Sequence, residues 1–170
     1  WRSADGHIYT IPTIVDVPGS QSVMIRQDWL DQLGMKAPET WEDWLALWRG
    51  IRDNDMNGNG DPTDEIPLAL EKGGNGERAL ASLLNAFGIG ASSNTQFCVL
   101  EDGTYTLVYE HPRFREFLQA AQDLYKEGIL DPEFATRTQA ELFTVMDSNL
   151  VGTTMTWAER AKLSTYSNRE

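Results

Sequence analysis

The sequence predicts one α/β domain that is rich in helices and has short, mixed β-strands. Three observations support this fold class. Helix-capping signals alternate with short β-branched runs, 41% of the 170 residues are hydrophobic, and the chain contains no internal repeat or low-complexity segment. A hydrophobic fraction of this size allows one sizeable core and argues against disorder.

The first part of the chain alternates extended and helical signals. Extended runs are predicted at residues 8–11 and 22–26, and Asp28 is a candidate cap for a short helix over residues 29–33 that ends at Gly34. Thr40 and Asp43 then form a capping box for a longer helix. Hydrophobic residues recur along it at helical spacing: Trp41, Trp44, Leu45, Trp48 and Ile51. A tryptophan face of this kind could stack on sugars or bases, but burial against a core is the favoured interpretation.

The remaining elements follow from equally local signals. A short strand is predicted at residues 66–70, a glycine turn at 73–76, a helix at 77–86, and a hairpin whose strands, 97–100 and 105–109, flank a turn at 101–103. An amphipathic helix follows Pro112 and ends at Gly128. Thr138 and Glu141 form a second capping box for a helix through Met146, and a strand-like run covers 150–155.

The charge and the metal-binding residue types exclude several functions. The formal net charge of −12 and the pI near 4.5 repel phosphate backbones, so nucleic acid is excluded as a partner. Cys98 is the single cysteine and lies in an apolar run, which predicts a buried side chain and excludes an internal disulfide. Only two histidines are present, so carboxylates and amides remain to bind a hard cation, and calcium fits them best.

Residues 53–65 carry oxygen-bearing side chains at alternate positions, as a calcium-binding loop requires. Two registers are possible. One begins at Asp55 and has Gly60 at its sixth position; the other begins at Asp53, has Gly58 at its sixth position and ends at Asp64. The first register uses Asp55, Asn57, Asn59, the Asp61 carbonyl, Asp64 and Glu65. Neither matches a complete EF-hand, and a solvated Asn/Asp/Gly turn is the alternative interpretation. A structural role for the ion is favoured over signalling.

Five passages, in this order, resemble the extracellular solute-binding proteins that feed sugar importers of the ABC type, particularly lipoproteins that take up oligosaccharides. The passages are DGHIYTIP (5–12), MIRQDWLDQLG (24–34), PETWED (38–43), NGNGDPTDEIPL (57–68) and LYKEGILDPEF (124–134). The resemblance implies a lobe of the periplasmic-binding-protein type II kind, in a protein whose two lobes close on a sugar. It also favours the calcium register that begins at Asp55.

The resemblance divides the chain into three parts. Residues 1–26 would be a crossing or hinge segment, residues 27–157 the solute-binding lobe with its calcium loop, and residues 158–170 a return toward the other lobe. The chain starts at Trp1 with neither an initiator Met nor a signal peptide, so we treat both ends as boundaries within a longer protein. We expect that protein to be a monomer outside the cell, lipid-anchored or periplasmic, and to work with a membrane permease.

Three residues are candidates for sugar contact. Trp157 stands near the place where the family puts an aromatic residue against the sugar ring, although packing at a helix start is an equally good interpretation. Arg26 and Tyr9 lie on the crossing segment and could hydrogen-bond hydroxyls or a carboxylate, but Arg26 could equally pair with a local aspartate.

The sequence therefore predicts a carbohydrate-binding component of an importer, with structural calcium and no catalytic activity. No Gly-x-Ser-x-Gly or His-Glu-x-x-His motif is present, and His111 has no local catalytic partner. Two alternatives stay open. A glycoside hydrolase fragment could carry carboxylates far apart in sequence, and a calcium-dependent interaction module could use the same loop, although such modules have two copies of it in a shorter chain.

Overall fold

The computed structural model describes residues 2–9, 21–72, 78–90 and 97–157 of the chain. Within these ranges helices and strands alternate as the sequence predicts. In chain order they are β1 (Gln21–Ile25), α1 (Gln27–Gln32), α2 (Trp41–Arg52), β2 (Ile66–Ala69), α3 (Arg78–Ala81), β3 (Phe97–Val99), β4 (Tyr105–Leu107), α4 (Phe114–Lys126), α5 (Gln139–Asp147) and β5 (Val151–Trp157). Short 3-10 turns, Ser82–Phe87 and Val108–Glu110, follow α3 and β4.

The main sheet places β5 between β1 and β2. β1 is antiparallel to β5 and pairs Gln21 with Trp157, whereas β2 is parallel to β5 and pairs Ala69 with Thr154. On the other side of β2, the backbone of Leu68 hydrogen-bonds to Ile129 and Asp131. The carboxyl ends of β2 and β5 therefore lie at the same edge of a mixed sheet.

The predicted hairpin forms a separate two-stranded sheet. Phe97 pairs with Leu107 and Val99 with Tyr105, and Gly103 takes a positive φ of 84° in the turn. The second strand is shorter than predicted because residues 108–110 turn into 3-10 geometry before α4. Cys98 is buried, which confirms the prediction for this residue.

The core confirms that the tryptophan face of α2 is a packing surface. Trp48 is 1% exposed, and Trp41 and Trp44 pack against the same cluster. The Trp48 indole N–H donates to Thr153 Oγ1 at 2.9 Å, and the Thr153 hydroxyl donates to the Pro67 carbonyl at 2.6 Å. A buried chain of two hydrogen bonds therefore connects α2 to both β5 and β2.

Several local predictions need correction. Asp28 does not cap α1; the helix starts after Arg26, and Asp28 lies in its first turn, where it bonds to the Arg26 guanidinium. The helix predicted at 77–86 is α-helical only to Ala81 and then tightens to a 3-10 turn that Gly88 ends. Ile8 and Tyr9 belong to no strand. The glycine turn at 73–76, residues 10–20 of the crossing segment and the return segment 158–170 lie outside the described residues.

Both capping boxes are present. The Thr138 Oγ1 accepts from the Glu141 amide at 3.3 Å, and the Glu141 carboxylate accepts from the Thr138 amide at 2.7 Å. The matching contacts at the start of α2 are made by Thr40 and Asp43. Because the reciprocal bonds need only residues three apart, they follow directly from sequence spacing.

We expect Thr138→Ala to lower the free energy of unfolding by about 1 kcal/mol, because the Glu141 amide loses its acceptor at the first turn of α5. Urea denaturation of the purified protein measures this change. Thr144→Ala is the matched control: the Thr144 side chain is exposed within the same helix and its hydroxyl donates to the Ala140 carbonyl, so its replacement should be close to neutral. Equal losses in the two variants would contradict a capping role.

Candidate functional site

The loop between α2 and β2 is the first candidate site, and it folds around its own polar side chains. It runs from Asp53, the C-cap residue of α2, to Glu65, the residue directly before β2. Gly58 and Gly60 take positive φ angles of 73° and 90°, a region that side-chain-bearing residues rarely adopt. The tight path that these glycines allow turns alternate side chains toward one another.

Asp55 organises the first half of this loop. Its Oδ1 accepts from the Gly58 amide at 2.7 Å and the Asn59 amide at 3.2 Å, while its Oδ2 accepts from the Gly60 amide at 2.8 Å. The carboxylate therefore lies inside the turn, where three backbone N–H groups point at it.

Two amides and a second aspartate connect the halves of the loop. Asn57 Nδ2 donates to Asp64 Oδ1 at 3.0 Å, and Asn59 Nδ2 donates to Asp64 Oδ2 at 2.6 Å. The side-chain oxygens of Asn57 and Asn59 accept from backbone amides two residues further on. Four of the predicted ligands, Asp55, Asn57, Asn59 and Asp64, are thus gathered by hydrogen bonds within one turn.

Glu65 closes the loop and is buried. Its Oε1 accepts from the Met56 amide at 2.7 Å and the Asn57 amide at 3.2 Å. Its Oε2 is buried and has no hydrogen-bond partner in the described part of the chain. Met56 next to it is 4% exposed and packs against Trp29, Leu30, Leu47 and Ile51. Glu65 therefore holds the loop to the core through one oxygen and leaves the other unsatisfied.

The remaining acidic side chains of the loop point elsewhere. The Asp61 carboxylate accepts from the Thr63 hydroxyl at 2.6 Å and from the Thr63 amide, and these bonds hold the pKa of Asp61 below its usual value. Asp53 pairs with Arg52 at 2.7 Å. Across the described ranges, no group of three or more His, Cys, Asp or Glu side chains is arranged to hold a metal ion. Any cation in this loop would need its amide and carbonyl oxygens.

Two of the three candidates for sugar contact have side-chain contacts in the described structure. Arg26 is buried, donates to Asp28 and Asn149, and lies over the Trp29 ring, 4.6 Å from its centroid. This is the second of its two predicted roles, pairing with a local aspartate. Tyr9 is exposed and donates to Asp5 at 2.6 Å. Trp157 ends β5, where its backbone pairs with Gln21. Sugar contact by these residues remains a prediction.

A second polar group, which sequence reasoning missed, lies at the carboxyl ends of β2 and β5. Glu71 follows β2 by two residues, and one of its carboxylate oxygens is buried with no partner among the described residues. The hydroxyls of Thr154 and Thr156, on β5, are buried and equally unpartnered there. No motif marks these residues, because β2 and β5 are far apart in sequence and only their pairing brings the carboxyl ends of the two strands to one edge.

The mixed sheet, the flanking helices and the polar loop define an α/β lobe of the type found in solute-binding proteins. No protein-family model matches the chain. Among curated proteins, it is 32% identical over 137 residues to the fructooligosaccharide ABC transporter substrate-binding protein FusA of Streptococcus pneumoniae, a match over 76% of this chain and 25% of that protein. It is 27% identical over 141 residues to lipoprotein LipO of Bacillus subtilis, over 82% of this chain and 27% of that protein.

A solved structure shows the same fold. The EF-hand mutant of S. pneumoniae FusA in complex with fructo-nystose superimposes with a TM-score of 0.72 at 26% identity, over 93% of this chain and 33% of that one. The chain is therefore homologous to part of the substrate-binding proteins of sugar ABC transporters, and its predicted fold class is confirmed. It spans about a quarter of the length of the curated relatives it matches. In the described ranges, we find no helix with the length and apolar character that a membrane span needs.

Proposed function

We propose that this chain forms one lobe of the substrate-binding component of an ABC importer and helps to bind an oligosaccharide in a cleft between two lobes. The observation that carries the proposal is the structural match to FusA over 93% of the chain, together with the sequence match to the same protein. The edge at which β2 and β5 both end supports it, because ligands of open α/β sheets bind outside the carboxyl ends of the strands. Trp157, Tyr9 and Arg26 remain candidate sugar contacts.

The proposal includes a structural calcium ion in the loop after α2. The fit of this loop to a calcium ion rests on Glu65. Its Oε1 accepts two hydrogen bonds, whereas its buried Oε2 has no hydrogen-bond partner in the described part of the chain. A carboxylate in this state is costly unless a donor or a cation faces it. One FusA structure is of an EF-hand mutant, so FusA itself has an EF-hand. This supports a cation in the EF-hand-like loop between α2 and β2 of this chain.

The residues that would hold calcium are those of the register beginning at Asp55. Asp55 lies inside the turn and accepts three backbone bonds, whereas Asp53 is exposed and paired with Arg52. The candidate ligands are the side chains of Asp55, Asn57, Asn59, Asp64 and Glu65 and the carbonyl of Asp61. When bound, the ion would offset most of the negative charge of Asp55, Asp64 and Glu65 and fix the start of β2 to the end of α2.

The proposed protein acts outside the cell and has no catalytic role of its own. The curated relatives are named as a transport protein and a lipoprotein, which supports an extracellular, lipid-anchored or periplasmic position and a membrane permease as partner. A monomer is the proposed state. The net charge of −12 continues to argue against nucleic acid as a partner.

Binding of oligosaccharides to the full-length protein tests this function. Isothermal titration with a panel of soluble oligosaccharides, including fructo-nystose, should give saturable binding to at least one member. A chromogenic glycoside series run alongside should show no turnover, because we assign no catalytic residues. Absence of binding across the panel, or hydrolysis of any glycoside, would contradict the proposal.

A further inference from the structure

Two Asn–Gly pairs follow each other in the loop between α2 and β2, Asn57 with Gly58 and Asn59 with Gly60. Asparagine is a thermolabile residue, and glycine after it leaves the next backbone nitrogen without a Cβ to shield it. Gly58, Asn59 and Gly60 are exposed. Apart from chain neighbours, no atom lies within 4 Å of the place that a Cβ would take on either glycine. Water therefore reaches both pairs.

The reaction open to such a pair is deamidation through a cyclic imide. The backbone nitrogen of the glycine attacks Cγ of the asparagine and gives its proton to solvent, and the bond between Cγ and Nδ2 breaks as ammonia leaves. Water then opens the imide at Cγ, which gives aspartate, or at the backbone carbonyl, which gives isoaspartate. No atom is oxidised or reduced, and water is the one other reactant. The reaction requires the glycine nitrogen and Cγ to approach each other freely.

One aspartate holds both of the nitrogens that would attack. Asp55 Oδ1 accepts from the Gly58 amide at 2.7 Å, and Asp55 Oδ2 accepts from the Gly60 amide at 2.8 Å. A negative charge beside an N–H group makes loss of its proton less favourable. The same carboxylate therefore fixes both nitrogens in place and disfavours their conversion to nucleophiles.

A second aspartate holds both of the groups that would leave. Asn57 Nδ2 donates to Asp64 Oδ1 at 3.0 Å, and Asn59 Nδ2 donates to Asp64 Oδ2 at 2.6 Å. The amide oxygens are fixed as well, since Asn57 Oδ1 accepts from the Asn59 amide at 2.9 Å and Asn59 Oδ1 from the Asp61 amide at 2.7 Å. Rotation of either side-chain amide toward its glycine would break both of its hydrogen bonds.

We infer that Asn57 and Asn59 are deamidation sites that the folded loop keeps unreactive through Asp55 and Asp64, and that they react when the loop opens. Asn59 reacts first, because it is exposed, whereas Asn57 is half-buried and its backbone amide is held by the buried Glu65. The product carboxylate lacks the N–H donor that Asp64 needs and adds negative charge beside it, so the loop cannot close in its original form. This chemistry goes beyond the proposed function and requires neither a sugar nor a bound ion.

Incubation of the full-length protein in mildly alkaline, calcium-free buffer, either folded or unfolded in guanidinium chloride, tests the inference. Trypsin releases residues 53–72 as one peptide, in which tandem mass spectrometry locates the modified asparagine. In the unfolded protein, Asn57 and Asn59 should react at rates similar to that of Asn75, which also precedes a glycine. In the folded protein both should react about 10-fold more slowly or less, since only molecules with an open loop react.

A pair of matched variants tests the role of Asp64. Asp64→Ala removes the acceptor that the two asparagine amides share, so both sites should react about 5-fold faster or more in the folded protein. Asp61→Ala removes an equal charge from the same loop, but the Asp61 carboxylate accepts from Thr63, so this variant should keep the wild-type rates. Thermal melts establish that each variant is folded during the incubation.

Each comparison has an outcome that overturns part of the inference. Equal rates in the folded and unfolded wild type would overturn protection by the loop, and this comparison needs no variant. No reaction at Asn57 and Asn59 in the unfolded protein would overturn the assignment of the sites, and faster reaction at Asn57 than at Asn59 would overturn their order. Equal acceleration by Asp61→Ala and Asp64→Ala would overturn the role of Asp64. None of these results bears on sugar binding.

Discussion

Calcium should raise the melting temperature of the protein by about 5–10 °C after chelation, when it is added at about 100 times its dissociation constant. Ligand binding at that excess stabilises the folded state by about 2.7 kcal/mol. The physical reason lies in the loop after α2, where Asp55, Asp64 and Glu65 lie within one turn and Glu65 keeps one buried oxygen without a partner in the described structure. Differential scanning fluorimetry with calcium, with magnesium as the competing cation, measures the shift.

Two variants make this experiment specific. Glu65→Gln should remove most of the calcium shift, because the closing carboxylate is lost at a buried position. Asp53→Asn should keep the full shift, since Asp53 lies outside the register that begins at Asp55 and pairs with Arg52. A shift that survives Glu65→Gln but disappears in Asp53→Asn would assign the ion to the alternative register. A wild-type protein that melts at the same temperature with and without calcium would contradict the metal site.

Replacing Trp48 should cause the largest loss of stability of any single change considered. Trp48→Ala removes a side chain that is 1% exposed and leaves a cavity between α2 and the main sheet, a change that typically costs about 3–5 kcal/mol. It also removes the donor that serves Thr153. Guanidinium denaturation followed by circular dichroism gives the free energy of unfolding.

The matched control for this prediction is Trp44→Ala, on the same helix. Trp44 is half-buried, and its ring lies 5.2 Å from that of Trp48, so its removal should cost clearly less. A double-mutant cycle of Trp48→Phe and Thr153→Val isolates the hydrogen bond between the two residues, for which we expect a coupling energy of about 0.5–1.5 kcal/mol. If Trp44→Ala costs as much as Trp48→Ala, the position of the core has been misassigned.

The parts of the fold that depend on neighbouring residues were predictable from sequence. The Thr40 and Thr138 capping boxes and the turn at Gly103 each need only a few adjacent positions, and each is present. The gathering of Asp55, Asn57, Asn59 and Asp64 follows from alternate spacing and two flexible glycines in the same way. Local physical chemistry determines these features almost completely.

The features that depend on distant residues were not predictable. Arg26 looked like a possible ligand contact because nothing nearby in sequence shows that Asn149 reaches it. The pairing of β2 with β5 depends on chain topology rather than on any motif. The tightening of residues 82–87 into 3-10 geometry likewise reflects packing of Leu83, Leu84 and Phe87 in the core, which no spacing rule encodes.

The position of β5 has a consequence for how this chain reaches its native state. The central strand of the main sheet is the last one in the described sequence, and its partners include Gln21 and Ile66 at much earlier positions. During synthesis, β1 and β2 therefore form before the strand that pairs with both of them, and their unpaired edges stay exposed until β5 has been made. High contact order of this kind slows folding, so pairing of β5 with β1 and β2 should be a late step in forming the main sheet.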